Sequence, residues 1–166
     1  MILNIILLLV AVSAIASIMN LCNRKKDYFD NSIPLEVQMP GNLPIIALSN
    51  NGNVLNFLID SGSNISHICS EYFNDLKANI IGTFKDDTVE GLGAVNTGIT
   101  MCNAVLEDIN GNEYSVNFSV SDQLSVVSRS IEESTGIKIH GLLGTDFLRV
   151  FKYIIDFESL KVYTKK

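Results

Sequence analysis

A chain of 166 residues, 47% of them hydrophobic, has room for one ordinary domain and excludes two large lobes. The net charge is −6, and once Arg24, Lys25 and Lys26 are set aside the other nine bases face all 18 acidic residues, a surface that repels a phosphate backbone and excludes nucleic-acid binding. Cys22, Cys69 and Cys102 are odd in number, widely spaced and without a CxxC pair, which argues against a disulfide framework and a structural zinc site and suits a reducing compartment.

Ile2 to Leu21 has no charged side chain and is long enough to cross a bilayer as a helix, which needs about 20 apolar residues. The bases follow this stretch instead of preceding it, so residues 1–22 read as a single-pass transmembrane anchor and not as a cleaved signal peptide. Met19, Asn20 and Leu21 lack the small residue expected before a lipidated cysteine, which leaves Cys22 an ordinary interfacial residue. The positive-inside rule puts everything beyond Asp27 in the cytosol. Residues 23–42, with Pro34 and Pro40 and no periodicity, read as a basic juxtamembrane segment and linker, and residues 43–166 as the folded domain.

Ile45–Leu48 and Val54–Ile59 are short apolar runs joined through Asn51-Gly52, a tight hairpin turn. Tyr114, Val116, Phe118 and Val120 alternate with Ser115, Asn117 and Ser119, a half-buried strand that Asn110-Gly111 turns back from Ile99–Leu106. Helical signals are short: Ser70–Lys77, Arg129–Thr135 closed by Gly136, and Thr145–Phe151. The predicted fold class is therefore all-β with short helices, preceded by one transmembrane helix.

Two segments carry chemistry. Phe57-Leu58-Ile59 delivers Asp60 into the turn Ser61-Gly62-Ser63, where small residues hydrogen-bond a partly desolvated carboxylate and Gly62 admits a close backbone approach. Taken alone, those residues also fit a structural Asx-type turn. Far downstream lies His140-Gly141-Leu142-Leu143-Gly144-Thr145-Asp146. Apolar-apolar-Asp-Ser-Gly followed by apolar-apolar-Gly resembles the active-site and crossing strands of the single-lobe, retropepsin-like aspartic peptidases, over about Leu43 to Thr164.

That resemblance implies a closed β barrel and an endopeptidase in which water attacks a peptide carbonyl between two carboxylates, one base and one acid, with no cofactor and no metal. It assigns catalysis to Asp60, Ser61 and Gly62, a substrate-covering flap to Gly91, Leu92 and Gly93, and support behind the catalytic loop to Leu142, Leu143 and Gly144. Ser61 stands where many members have Thr, which keeps the hydroxyl, and the flap lacks an aromatic residue. The chain offers one such Asp, since Asp156 is followed by Phe157-Glu158 and not Ser-Gly. The second carboxylate is then Asp60 of another copy, in a homodimer acting on a polypeptide substrate, with Ser61 of each copy tying the loops together. The rival reading is a catalytically silent peptide-binding or scaffolding module on the same fold.

Other polar residues have blander readings. Asp146 and Arg149, at i and i+3, suggest a local ion pair. His67 and His140 lack ligand-spaced partners for a metal. Ser61 and Ser63 sit in no GxSxG elbow. Asp86-Asp87 and Glu132-Glu133 read as solvated faces, and the sequons at Asn64 and Asn117 as incidental in a cytosolic domain.

Overall fold

The computed structural model describes residues 12–19, 35–84, 90–91, 94–95 and 99–164. The chain divides into two units, Met1–Ile33 with Lys165–Lys166, and Pro34–Thr164. In the first, residues 12–19 form helix α1, with Val12, Ile15, Ile18 and Met19 exposed. Among the described residues no helix is long and apolar enough to cross a membrane, and the rest of the predicted anchor over residues 1–22 lies outside them.

The second unit is built from β1 (Leu35–Glu36), β2 (Ile45–Asn50), β3 (Asn53–Ile59), β4 (Ser66–Cys69), β5 (Ala78–Phe84), β6 (Glu90–Gly91), β7 (Ala94–Val95), β8 (Ile99–Glu107), β9 (Glu113–Ser121), helix α2 (Asp122–Thr135), β10 (Gly141–Leu143), helix α3 (Thr145–Val150), β11 (Tyr153–Asp156) and β12 (Lys161–Thr164). Asn51 and Gly52 both take positive φ, 51° and 85°, which is the backbone a two-residue turn needs to join twisted strands, and β2 and β3 pair from Asn50↔Asn53 to Ile45↔Leu58. The strands β8 and β9 form the second predicted hairpin. Its turn is organised by the buried Asp108, whose carboxylate accepts from the Asn110 N–H (2.8 Å), the Asn112 N–H (3.0 Å) and the Tyr114 hydroxyl (2.6 Å).

β2, β3, β10, β4, β9 and β8 close into a six-stranded ring through Ser49↔Glu107, with β5 added along the rest of β8. Asn50, 3% exposed, pins this seam: its amide donates to the Val105 carbonyl at 2.9 Å and its carbonyl accepts from the Lys77 N–H at 2.7 Å. The core inside holds Phe57 and Phe118, stacked at 5.8 Å, with Ile46, Leu48, Ile68, Leu106 and Leu143.

The structure moves three predicted boundaries. Leu35–Asn42, assigned to the linker, belongs to the folded unit: β1 pairs with β12 at Leu35↔Val162, and Leu35 and Val37 are buried. The predicted Ser70–Lys77 helix is one 3₁₀ turn, Ser70–Tyr72, after which the Asp75 and Leu76 N–H groups both bond the Tyr72 carbonyl in a turn. The helix predicted over Arg129–Thr135 begins earlier, at Asp122, where the Ser121 hydroxyl accepts from the Leu124 N–H at 3.1 Å, and it closes at Gly136 with φ 73° as expected. Alternation along β9 holds through Phe118 and fails at Ser119, which is buried.

Candidate active site

Asp60 is the first residue beyond β3, a strand whose Phe57 and Ile59 are buried in the core. Its carboxylate is half-buried and accepts from the Gly62 N–H at 2.8 Å, while Ser61 and Gly62 are exposed. This is the Asx-type hydrogen bond that the residues permit in either reading. What surrounds it decides how the loop is held.

β10 lies between β3 and β4, parallel to the first (Leu142↔Leu58, Leu143↔Ile59) and antiparallel to the second (Leu142↔His67). It therefore runs directly behind the loop that joins those strands. The Leu143 carbonyl accepts from the Asp60 N–H at 3.0 Å, and Thr145 holds the Ser63 carbonyl with both its N–H (2.9 Å) and its hydroxyl (3.1 Å). Glycine is required on both sides of Leu142-Leu143. A Cβ on Gly141 would lie 2.7 Å from the His67 carbonyl oxygen, and one on Gly144 would lie 2.6 Å from that of Ile65. The glycines let the crossing strand approach the loop backbone closely enough to hydrogen-bond it.

Asp146 does not pair with Arg149 as expected. Its carboxylate accepts from the Ser66 N–H (3.0 Å), the Ser66 hydroxyl (2.8 Å) and the Phe147 N–H (2.7 Å), and Ser66 in turn accepts from the Gly144 N–H at 3.1 Å. The far end of the loop is thus locked to the start of α3. Ser66 and Thr145 were not singled out in the sequence. The signal for Thr145 is the polar continuation of Leu142-Leu143-Gly144 into Thr145-Asp146, which reads as a helix start, whereas Ser66 meets its partners only in the fold.

His67 lies on β4 behind the loop, 8% exposed, and its Nδ1 has no hydrogen-bond partner among the described residues. Burial lowers its pKa from the ordinary histidine value, opposed by the Asp146 and Asp60 carboxylates. His140 is lowered too, by burial and by Lys138, and its Nδ1 accepts from the Asn56 N–H at 3.0 Å. Asp156 is consumed in its own turn, accepting from the Glu158 N–H (2.9 Å) and from the Ser159 N–H (3.2 Å) and hydroxyl (2.7 Å).

Of the predicted flap, Gly91 pairs with Ala94 in the β6–β7 hairpin, whereas Leu92 and Gly93, like Asp86-Asp87, lie outside the described residues. The structure thus brings Asp60, Ser61, Gly62, Leu142, Leu143 and Gly144 into one assembly. Cys69 and Cys102 are buried free thiols, and burial pushes them up to about 12 and about 11, which makes them poor nucleophiles.

No protein-family model matches the chain, and no curated protein matches it. Solved structures do. A retropepsin-like aspartic protease from Rickettsia conorii is similar with a TM-score of 0.52 and 17% identity over 80% of this chain and 90% of its own. The EIAV protease complexed with the inhibitor HBY-793 is similar with a TM-score of 0.49 and 18% identity over 70% of this chain and 94% of its own. The chain has the fold of the retropepsin-like aspartic proteases.

Proposed function

We propose that this chain is an aspartic endopeptidase that acts as a homodimer. The observation that carries the reading is Asp60 itself: a carboxylate oriented by the Gly62 N–H, on a loop gripped from behind by Leu143, Gly144 and Thr145. Peptide hydrolysis by water needs one group to take a proton from the attacking water and another to give one to the carbonyl oxygen. The other nearby carboxylate, Asp146, has its oxygens occupied by Ser66 and Phe147, which supports drawing the partner from a second copy of Asp60. Two carboxylates that meet share one proton, so one is base and the other acid, and they exchange roles as the amine leaves.

Ser61, exposed and with no hydrogen bond to its hydroxyl among the described residues, is free to tie one loop to the other across the two-fold axis. The predicted flap residues Gly91, Leu92 and Gly93 cover the bound polypeptide. Residues 1–22 anchor the chain to a membrane and the catalytic unit faces the cytosol.

The test is to incubate the purified full chain with a diverse peptide library, with and without an inhibitor carrying a hydroxyl that mimics the tetrahedral intermediate. Inhibitor-sensitive cleavage is expected. Peptides bound but left whole would replace this reading with the non-catalytic peptide-binding module.

A further inference from the structure

The charge of this chain is unevenly placed. Residues 27–148 hold four bases among sixteen acids, whereas residues 149–166 hold five bases, Arg149, Lys152, Lys161, Lys165 and Lys166, and only Asp156 and Glu158. Part of that excess gathers at one end of the β1–β12–β11 sheet. Tyr153↔Thr164 and Leu35↔Val162 put Lys152, the last turn of α3 and the entry of the chain into β1 at the same end, while Lys161, in register with Asp156, lies at the other. Arg149 and Lys152 are exposed, and Val150 between them is 64% exposed.

A second loop is drawn to this end. The Tyr114 ring meets Phe151 at 5.0 Å and Tyr153 at 5.8 Å, and its hydroxyl holds Asp108 at 2.6 Å, so Ile109, 92% exposed, is carried on the same aromatic cluster. Asp108 carries a negative charge in this loop, but its carboxylate is buried and turned onto the loop's own donors, so it is not presented to a surface as Arg149 and Lys152 are. Glu107 and Glu113 alternate with the buried Leu106 and Tyr114 and so point to the opposite face of the hairpin.

We propose that this end of the folded unit rests on an anionic membrane surface, with Arg149 and Lys152 among the lipid headgroups and Ile109 and Val150 in the interface. Exposed apolar side chains beside bases are what such a surface selects, and the acidic body behind them is repelled from it, which fixes the orientation. The inference needs neither peptidase activity nor a membrane-spanning anchor.

Amide hydrogen exchange of the full chain, measured on bilayers of phosphatidylcholine alone and of phosphatidylcholine with phosphatidylserine, separates the possibilities. Segments 108–112 and 149–153 are expected to exchange about tenfold more slowly on the anionic bilayer, and high salt should reverse the effect. The double variant Arg149→Glu/Lys152→Glu should lose the protection while keeping the wild-type exchange pattern in β8 and β9. Ile109→Asp should weaken the protection without touching the core. Equal exchange on the two bilayers, or protection that survives the charge reversal, would overturn the proposal. Insertion of the anchor alone predicts that equal result, and a protein partner at this end predicts no response to lipid charge.

Discussion

The carboxylate of Asp146 accepts both the backbone N–H and the hydroxyl of Ser66, at 3.0 and 2.8 Å, and so joins the end of the candidate catalytic loop to the first turn of α3. Ser66 is fully buried, so removing the acceptor leaves two polar groups without a partner away from water. Asp146→Ala should therefore destabilise the folded unit by about 2–3 kcal/mol, and Ser66→Ala, which takes the acceptor from the buried Gly144 N–H as well as a donor from Asp146, by about 1–3 kcal/mol. Urea denaturation measures both. Wild-type stability in the Asp146→Ala variant would show that the Ser66 N–H and hydroxyl find other acceptors.

Asp60→Asn keeps the shape of the side chain and an oxygen that can accept from Gly62, but it cannot take a proton from water. Peptidase activity should fall by at least about a hundredfold, with the circular dichroism and urea midpoint unchanged. A variant that cleaves peptides at the wild-type rate would remove Asp60 from the chemistry.

Gly144→Ala tests the close approach of the crossing strand. The new methyl would meet the backbone of Ile65 at 2.6–2.7 Å, which no side-chain rotation relieves. A loss of at least about 2 kcal/mol is expected, with lower activity because the Asp60 loop must shift. Gly52→Ala provides the contrast: nothing lies near its Cβ, and only its φ of 85° resists, so the cost should be about 1 kcal/mol with activity intact.

These contacts show what a sequence reveals and what it hides. Asn51-Gly52 and the alternation through Phe118 are local, because turn chemistry and a period of two are carried by neighbouring residues. The link between Asp60 and Leu143 is not local, and it was legible only because both motifs together resemble a known pair. Asp146 has a near neighbour of opposite charge, Arg149, but a buried Ser66 binds it better than a solvent-screened guanidinium does. The helix predicted over Arg129–Thr135 omits the first turns of α2, whose start is set by the Ser121 hydroxyl, and Leu35–Asn42 reads as linker because its partners, β12 and Ile45, come from elsewhere in the chain.

His67 and His140 contribute to the loss of stability on mild acidification. Both are lowered by burial, so the unfolded chain binds their protons more readily than the folded one does. The stability they permit is complete above the ordinary histidine value of about 6.5 and falls as pH drops from there toward their lowered values. At His140 the cause is visible: protonated Nδ1 would present a donor to the Asn56 N–H. Urea midpoints should decline from neutral pH to mildly acidic pH, and His140→Gln should flatten part of that slope. A midpoint that rises on acidification would contradict both assignments and would favour an acidic compartment over the cytosol.

The proposed mechanism draws one carboxylate from each of two chains, and it therefore predicts that activity depends on how often two chains meet. The specific activity of the full chain in detergent should fall on dilution, steeply below the dimer dissociation constant. In a bilayer it should fall much less, since an anchor confines both partners to a thin layer in one orientation. Adding excess Asp60→Asn chains should suppress wild-type activity through mixed dimers, each holding one competent carboxylate. Ser61→Thr keeps the hydroxyl and should be tolerated, whereas Ser61→Ala should weaken the dimer by about 0.5–1.5 kcal/mol for each hydrogen bond lost. These experiments fail in different ways. Dilution that leaves activity unchanged is compatible with a very tight dimer, but suppression by the Asn chains, after the two are unfolded together and refolded, is then still required. Full activity in that mixture, with co-purification proving that mixed dimers had formed, would mean that a single Asp60 suffices and that the second proton-transfer group belongs to the same chain.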